Sequence, residues 1–229
     1  MTANNKPSCI GIIMDGNRRW AKELGKPSHT GHKAGYDVFK RCIQWAVETH
    51  IPNLIFYALS TENLNREKKE VEYLFSLIKN GFAKDLKELH QKNIRFIFLG
   101  QLERLPKDVQ EVLAQYEKET KNNTGITVGV AVSYGGRAEI LHAVNTVLKE
   151  KGKDTVTEEE FAQYLWTHDI PDPDLIIRTG DALRLSNFLP WQSVYSELYF
   201  TDTYWPDFDK EEFNYILEEY AGRTRRMGK

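Results

Sequence analysis

The sequence predicts an α/β protein: a single domain over residues 1–229, with a central six-stranded, mainly parallel sheet flanked by helices. Three observations predict it. Six short apolar runs rich in β-branched and aromatic residues alternate with longer segments of helical character, the pattern of a parallel sheet covered on both faces. No internal repeat, low-complexity tract or linker interrupts them. The 229 residues, 41% of them hydrophobic, are enough to bury one sizeable core.

The first strand is expected at 9–14, ending in Asp15 and Gly16, with a helix following and a further helix candidate near 34–50. The run Asn53-Leu-Ile-Phe-Tyr-Ala-Leu59 gives the second strand, and 67–91 the longest helix. In that helix Val71, Leu74, Phe75, Leu77, Ile78, Phe82, Leu86 and Leu89 form a broad apolar stripe, which suits core packing and could also wall a cavity for hydrocarbon chains. Strand 94–99 and helix 106–120 come next, followed by strand 126–133 and helix 136–151. The pair Thr157 and Glu160 reads as a capping box opening a helix over 157–167. Strands 174–178 and 197–201 and a helix at 209–221 complete the series.

The formal net charge of −2 gives no global pull toward nucleic acid or an anionic surface, so no nucleic-acid partner is expected. Cys9 and Cys42 are too few for a disulfide framework, and Cys9 lies in an apolar run that suits a buried free thiol. Residues 1–7 are polar and no apolar run approaches the ~18 residues that span a bilayer, so a cytoplasmic, reduced setting is expected.

Ligands of such sheets bind beyond the carboxyl ends of the strands. After the first strand come Asp15, Gly16, Asn17, Arg18, Arg19 and Trp20: a carboxylate, a flexible turn and two guanidinium groups at a helix start. That chemistry suits a phosphorylated ligand with a divalent metal, and a capped turn with solvated arginines is the plainer reading. After the second strand come Ser60, Thr61, Glu62, Asn63 and Arg66, where Ser60 or Thr61 also suits a helix cap. Ser133-Tyr-Gly-Gly-Arg137 is a two-glycine turn. After the fifth strand, Arg178, Arg184 and Ser186 share one loop and form a second candidate anion site. Glu197 opens the sixth strand, as a metal ligand paired with Asp15 or as an edge salt bridge. There is no Walker lysine loop or Rossmann glycine pattern, and Cys and His do not fall at zinc spacing. Two anion sites without a nucleotide motif point to two phosphorylated substrates held side by side.

Six blocks in register carry a resemblance over nearly the whole chain: Met14-Asp-Gly-Asn17, Gly31-His-Lys-Ala-Gly35, Ser60-Thr-Glu-Asn63, Tyr134-Gly-Gly-Arg137, Arg184-Leu-Ser-Asn-Phe-Leu189 and Trp205-Pro-Asp-Phe208. The chain resembles the cis-prenyltransferases, the undecaprenyl diphosphate synthases and their relatives. The resemblance implies Mg²⁺-dependent condensation of isopentenyl diphosphate with an allylic diphosphate such as farnesyl or geranyl diphosphate. A cis double bond forms each cycle, giving a polyprenyl diphosphate held in an apolar tunnel. It implies Asp15 as catalytic acid and metal ligand and Asn63 as proton-abstracting residue. Gly16, Asn17, Arg18, Arg19 and His32 would hold the allylic diphosphate, with Trp20 beside it, and Ser60, Thr61, Glu62 and Arg66 would lie around the substrate. Arg178, Arg184, Leu185 and Ser186 would bind isopentenyl diphosphate, and Glu197 would be metal-associated. A homodimer is implied, its tail Arg226-Met227-Gly228 reaching the partner's site, with peripheral membrane contact through the lipid product.

The chain departs from the pattern at four places. Arg18 stands for a common glycine, Ser28 for a phosphate-binding arginine, Leu64 for a tryptophan, and Gly180-Asp-Ala-Leu183 for a Ser-Gly-Glu-Gln type segment. The last motivates an alternative, an atypical member coupling two allylic diphosphates. A non-catalytic prenyltransferase subunit is another, although such relatives lose the first acid and this chain keeps Asp15. A tunnel blocked by Phe75 or Phe82 would favour short products, and product length itself is not given by the sequence.

Overall fold

The structure, a computed structural model, describes residues 6–152 and 155–223, with backbone only at Leu86 and Lys87. Its strands are β1 (Cys9–Ile13), β2 (Asn53–Ser60), β3 (Arg95–Leu99), β4 (Thr127–Tyr134), β5 (Leu175–Arg178) and β6 (Glu197–Phe200). They form one six-stranded sheet in the order β3-β4-β2-β1-β5-β6. Every neighbouring pair is parallel, so the expected mainly parallel sheet is parallel throughout. The near-continuous apolar runs of β1, β2 and β4 match strands covered on both faces.

The two faces carry separate cores. Ile10, Ile12, Leu54 and Phe56 point to the larger one, with Val38, Phe39, Phe82 and Trp205. Cys9, Ile13, Ile55 and Tyr57 point to the smaller, roofed by Phe188 and Leu189. This is the period-two alternation of a strand. Both cysteines are buried and free, and burial pushes both thiols up.

The helices are α1 (Asn17–Glu23), α2 (Ser28–Thr49), α3 (Lys68–Gln91), α4 (Lys107–Thr120), α5 (Gly136–Lys151), α6 (Glu158–Ala162) and α7 (Lys210–Gly222). Helix α2 begins six residues before the expected 34, because its first turns are built on glycines that serve packing. A Cβ on Gly31 would lie 1.9 Å from the Asn17 carbonyl oxygen, and one on Gly35 would lie 2.2 Å from Asn17 Oδ1. The Gly31/Gly35 spacing, one helical turn apart, therefore lets α2 press against the start of α1. Helix α6 has the expected capping box at Thr157 but stops at Ala162, short of 167. Beyond it the Thr167 N–H donates to the buried Glu139 carboxylate at 3.2 Å, which draws the backbone out of helical bonding. No helix among the described residues is long and apolar enough to cross a membrane.

Candidate active site

A cleft of about 1150 Å³ opens at the carboxyl ends of the strands. It draws on the turns after β1, β2 and β5, the position expected for ligands of an open parallel sheet.

Asp15 is its centre. Gly16 has φ 110°, and a Cβ there would come within 2.8 Å of the Tyr204 ring, so only glycine makes this turn. The Gly16 N–H donates to Asp15 Oδ1 at 2.7 Å, and Arg19 Nη2 lies 3.2 Å from the same oxygen. Arg178 Nη2, from the end of β5, donates to Oδ2 at 2.8 Å. The Asp15 carbonyl accepts from Thr179 Oγ1 at 2.7 Å and from the Trp205 N–H at 3.0 Å. The Trp205 indole N–H in turn donates to the Gly35 carbonyl at 2.8 Å. The Trp205-Pro-Asp-Phe208 block thus fixes the Asp15 backbone from behind.

Arg178 is 4% exposed. Its Nη1 donates to Ser186 Oγ at 2.8 Å and to the Arg184 carbonyl, so the guanidinium shapes the loop that carries both residues. That loop holds left-handed backbone at Asp181, Ser186, Asn187 and Leu189. It is docked on the start of α5, where the Gly136 N–H donates to the Asn187 carbonyl at 2.8 Å and the Arg137 N–H to Asn187 Oδ1 at 3.0 Å. Glu139 braces it further, accepting from Gln192 Nε2 at 3.0 Å and from Tyr134 Oη, and burial pushes its carboxyl up. The sequence reading missed this brace, because a lone glutamate on a helix has no spacing that betrays burial.

On the other flank, Glu70 of α3 gathers a cluster that sequence reading also missed. Its Oε1 lies 3.0 Å from Arg66 Nη1, 3.2 Å from His32 Nε2 and 3.7 Å from Arg18 Nε. Burial lowers the His32 pKa from 6.5, and neighbouring Glu70 only partly opposes it. His32 is thus neutral, native and unfolded, above the ordinary imidazole range. Below 6.5 the unfolded chain takes up a proton before the native one does, so stability falls as pH falls through that window. The expected result is a melting temperature that drops between pH 6.5 and 5 more steeply in the native protein than in His32→Gln. Superimposable pH profiles would count against it.

Between the flanks, Ser60 and Asn63 bond reciprocally, Ser60 N–H to Asn63 Oδ1 at 3.3 Å and Asn63 N–H to Ser60 Oγ at 3.1 Å. Glu62 accepts from Asn187 Nδ2 at 3.2 Å and from Thr61 Oγ1 at 3.1 Å. Although burial works against it, its own backbone N–H and the side chains of Ser60, Asn187 and Thr61 hold the Glu62 carboxyl below its ordinary value.

Of the residues expected at the site, Asp15, Gly16, Asn17, Arg18, Arg19, His32, Ser60, Glu62, Asn63, Arg66, Arg178, Arg184 and Ser186 line the cleft. Trp20, Thr61 and Leu185 do not. The Trp20 indole N–H donates to Asp207 Oδ1 at 2.7 Å, the Thr61 N–H bonds the Tyr134 carbonyl at 2.9 Å, and Leu185 packs on the smaller core. Lys22 and Lys26, unforeseen, add positive charge, and Ser28 also lines the cleft.

Within one chain the structure does not bring Asp15 and Glu197 together. Glu197 opens β6 in register with Leu175, whereas Asp15 follows β1, whose Ile13 lies beside Arg178. Three residues of strand, about 10 Å, separate those levels. Glu197 instead accepts from Arg223 Nη1 at 2.8 Å. The tail Arg226-Met227-Gly228 lies outside the described residues.

For Mg²⁺ the donor chemistry fits in a limited way. Among the described residues no three His, Cys, Asp or Glu gather as a protein cage. A carboxylate at an arginine-rich strand end suits a hard cation that arrives with phosphate oxygens and needs one or two protein ligands.

A smaller apolar pocket of about 80 Å³ continues from the cleft, sharing Met14, Asn17, His32, Ala58 and Leu74 with it. Phe82 lines this pocket and Phe75 lines neither space.

Comparison with known proteins agrees with this geometry. The family model described as "Putative undecaprenyl diphosphate synthase" matches residues 13–228. An isoprenyl transferase of Fusobacterium nucleatum is 45% identical over 224 residues, spanning 98% of this chain and 96% of the relative. One from Thermotoga maritima is 45% identical over 225 residues, spanning 97% of each. The crystal structure of lavandulyl diphosphate synthase from Lavandula x intermedia, in complex with dimethylallyl diphosphate, superimposes with a TM-score of 0.94 at 35% identity, covering 99% of this chain and 100% of that one. That of "a probable undecaprenyl diphosphate synthase" from Campylobacter jejuni gives 0.84 at 34% identity, covering 98% and 100%.

Proposed function

Because the chain belongs to the undecaprenyl diphosphate synthase family of prenyltransferases, we propose that it condenses isopentenyl diphosphate with an allylic diphosphate in cis. The observation that carries the reading is the double pairing of Asp15. One carboxylate joins Arg19, beside the first anion site, to Arg178, which shapes the second. Two diphosphates bound on either side would bring the isopentenyl double bond to the allylic carbon, and that positioning is the larger part of the catalysis.

In the step itself the allylic carbon–oxygen bond breaks, a carbon–carbon bond forms, and a proton leaves the isopentenyl unit to give the new double bond. Gly16, Asn17, Arg18 and Arg19, with His32 and Arg66, hold the departing diphosphate and stabilise its growing charge. Arg178, Arg184 and Ser186 hold isopentenyl diphosphate. Asn63 is an amide and a poor base, and its Oδ1 already accepts the Ser60 N–H. It therefore orients the reacting unit, and the released diphosphate or a water takes the proton. Mg²⁺, held by Asp15 with the diphosphate oxygens, would supply Lewis-acid charge to the leaving group. Trp20, Thr61 and Leu185 support the site from behind.

Purified protein with Mg²⁺, farnesyl diphosphate and labelled isopentenyl diphosphate is expected to incorporate label into an extractable prenyl product. No incorporation would refute the reading. Dimethylallyl diphosphate alone should give no product, whereas a branched dimer of it would favour irregular coupling.

A homodimer is part of the same reading. Helix α5 exposes Leu141, Val144 and Leu148 along one side, and the segment before edge strand β6 exposes Val194 and Tyr195. Such apolar exposure suits an interface between copies. Sedimentation at twice the 26.6 kDa chain mass is expected, and a monomer at micromolar concentration would refute it.

A further inference from the structure

Arg19 is held in the cleft by a ring that lies outside it. Its guanidinium reaches Asp15 Oδ1 at 3.2 Å and donates to the Gly180 carbonyl at 2.5 Å, both through Nη2. The N–H donors of Nη1 and Nε therefore stay available to a ligand. Two contacts at one nitrogen leave the group able to pivot about it, and the side chain is 44% exposed. A third contact opposes that motion. The guanidinium carbon lies over the Tyr204 ring, 5.3 Å from its centroid, close enough for the ring face to attract the cation.

Tyr204 is not among the residues lining the cleft. Its backbone packs on the Asp15 turn, since a Cβ on Gly16 would lie 2.9 Å from Tyr204 Cα. Its carbonyl accepts the Asp207 N–H at 2.9 Å, and its hydroxyl donates to Glu23 Oε1 at 2.6 Å. Glu23 follows Arg19 by one helical turn on α1, the spacing at which opposite charges pair along a helix. Arg19 instead turns toward Asp15 and Gly180, while Glu23 faces the Tyr204 hydroxyl. One side chain thus supports the arginine with its face and occupies the competing carboxylate with its tip.

We propose that Tyr204 is a positioning residue for the first anion site, holding Arg19 toward a bound diphosphate and keeping Glu23 from drawing it away. This deepens the prenyl-transfer reading above and rests on it, because the site is the one assigned there to the allylic substrate. Tyr204 does for the Arg19 side chain what the Trp205-Pro-Asp-Phe208 block does for the Asp15 backbone.

The test measures Kd for farnesyl diphosphate by calorimetry, with isopentenyl diphosphate left out so that no turnover occurs. The KM for isopentenyl diphosphate and the melting temperature are measured alongside. Tyr204→Leu removes the ring face, and its Kd for farnesyl diphosphate is expected to rise about fivefold with the other KM little changed. Tyr204→Phe keeps the ring and frees Glu23, so Kd should rise about twofold. Adding Glu23→Gln to Tyr204→Phe should restore the native Kd. A merely structural role would weaken both substrates alike, lower the melting temperature and show no rescue by Glu23→Gln. That pattern, or a native Kd in Tyr204→Leu, would overturn the proposal. If Tyr204→Leu does not fold, the rescue of Tyr204→Phe by Glu23→Gln decides. Native protein that binds farnesyl diphosphate yet incorporates no labelled isopentenyl unit would overturn the prenyl-transfer reading, while the calorimetric comparison would still decide whether Tyr204 positions Arg19.

Discussion

Replacing Asp15 by Asn is expected to lower kcat about 1000-fold, roughly 4 kcal/mol of lost transition-state stabilisation, with the KM values little changed or lowered. The asymmetry follows from the charge pattern. Asn keeps an oxygen to accept the Gly16 N–H, so the turn survives. What disappears is the negative charge between Arg19 and Arg178. The cleft lining carries Arg18, Arg19, Lys22, Lys26, Arg66, Arg178 and Arg184 against the carboxylates of Asp15 and Glu62, so the variant cleft is more positive still. Diphosphates would bind such a cleft at least as well, while the carboxylate that on the proposed reading would hold the metal beside the leaving group is gone. Steady-state kinetics on the folded variant check this, and retention of more than a tenth of native kcat would contradict it.

Replacing Arg178 by Ala is expected to act on both stability and binding. The side chain is 4% exposed and bonds Asp15, Ser186 and the Arg184 carbonyl at once. Its removal leaves a partly buried carboxylate short of a partner and the left-handed loop unsupported, a loss of about 3 kcal/mol. With that loop loosened, the KM for isopentenyl diphosphate should rise about 100-fold, while the KM for the allylic substrate changes far less. Arg184→Ala, which removes an exposed side chain, should raise the same KM with almost no loss of stability. Urea unfolding alongside two-substrate kinetics separates these effects. Equal changes in both KM values would argue against assigning Arg178 to one half of the cleft.

The strands and the helices α3, α4, α5 and α7 were legible because their apolar periodicity persists through the element. Helix α1 and the first turns of α2 were less so. Ser28 to Gly35 carry two glycines and two histidines, poor helix formers that close packing against Asn17 makes favourable. The sheet order was not legible, since strand neighbours are set by crossovers that leave no local mark. Most of the site could be read because its residues sit just past strand ends, where parallel topology brings them to one edge. Glu197 shows the limit of that reasoning. It sits at the start of its strand, and in a parallel sheet starts and ends lie on opposite edges. Trp20 shows another, for one rotamer turns its ring from the cleft to Asp207. Glu70 and Glu139 carry no motif, and only the fold shows that one gathers two arginines and a histidine and the other braces a loop.

Asp15 serving Arg19 and Arg178 together has a consequence for how the cleft can be dissected. On the proposed reading the two arginines belong to different half-sites, yet the charge that balances each is the same carboxylate. Removing either one strengthens the hold of the other on Asp15, so the effects of Arg19 and Arg178 substitutions are not independent and their free energies do not add. The size of that departure, read from the two single variants and the double variant, measures how tightly a change at one diphosphate is felt at the other.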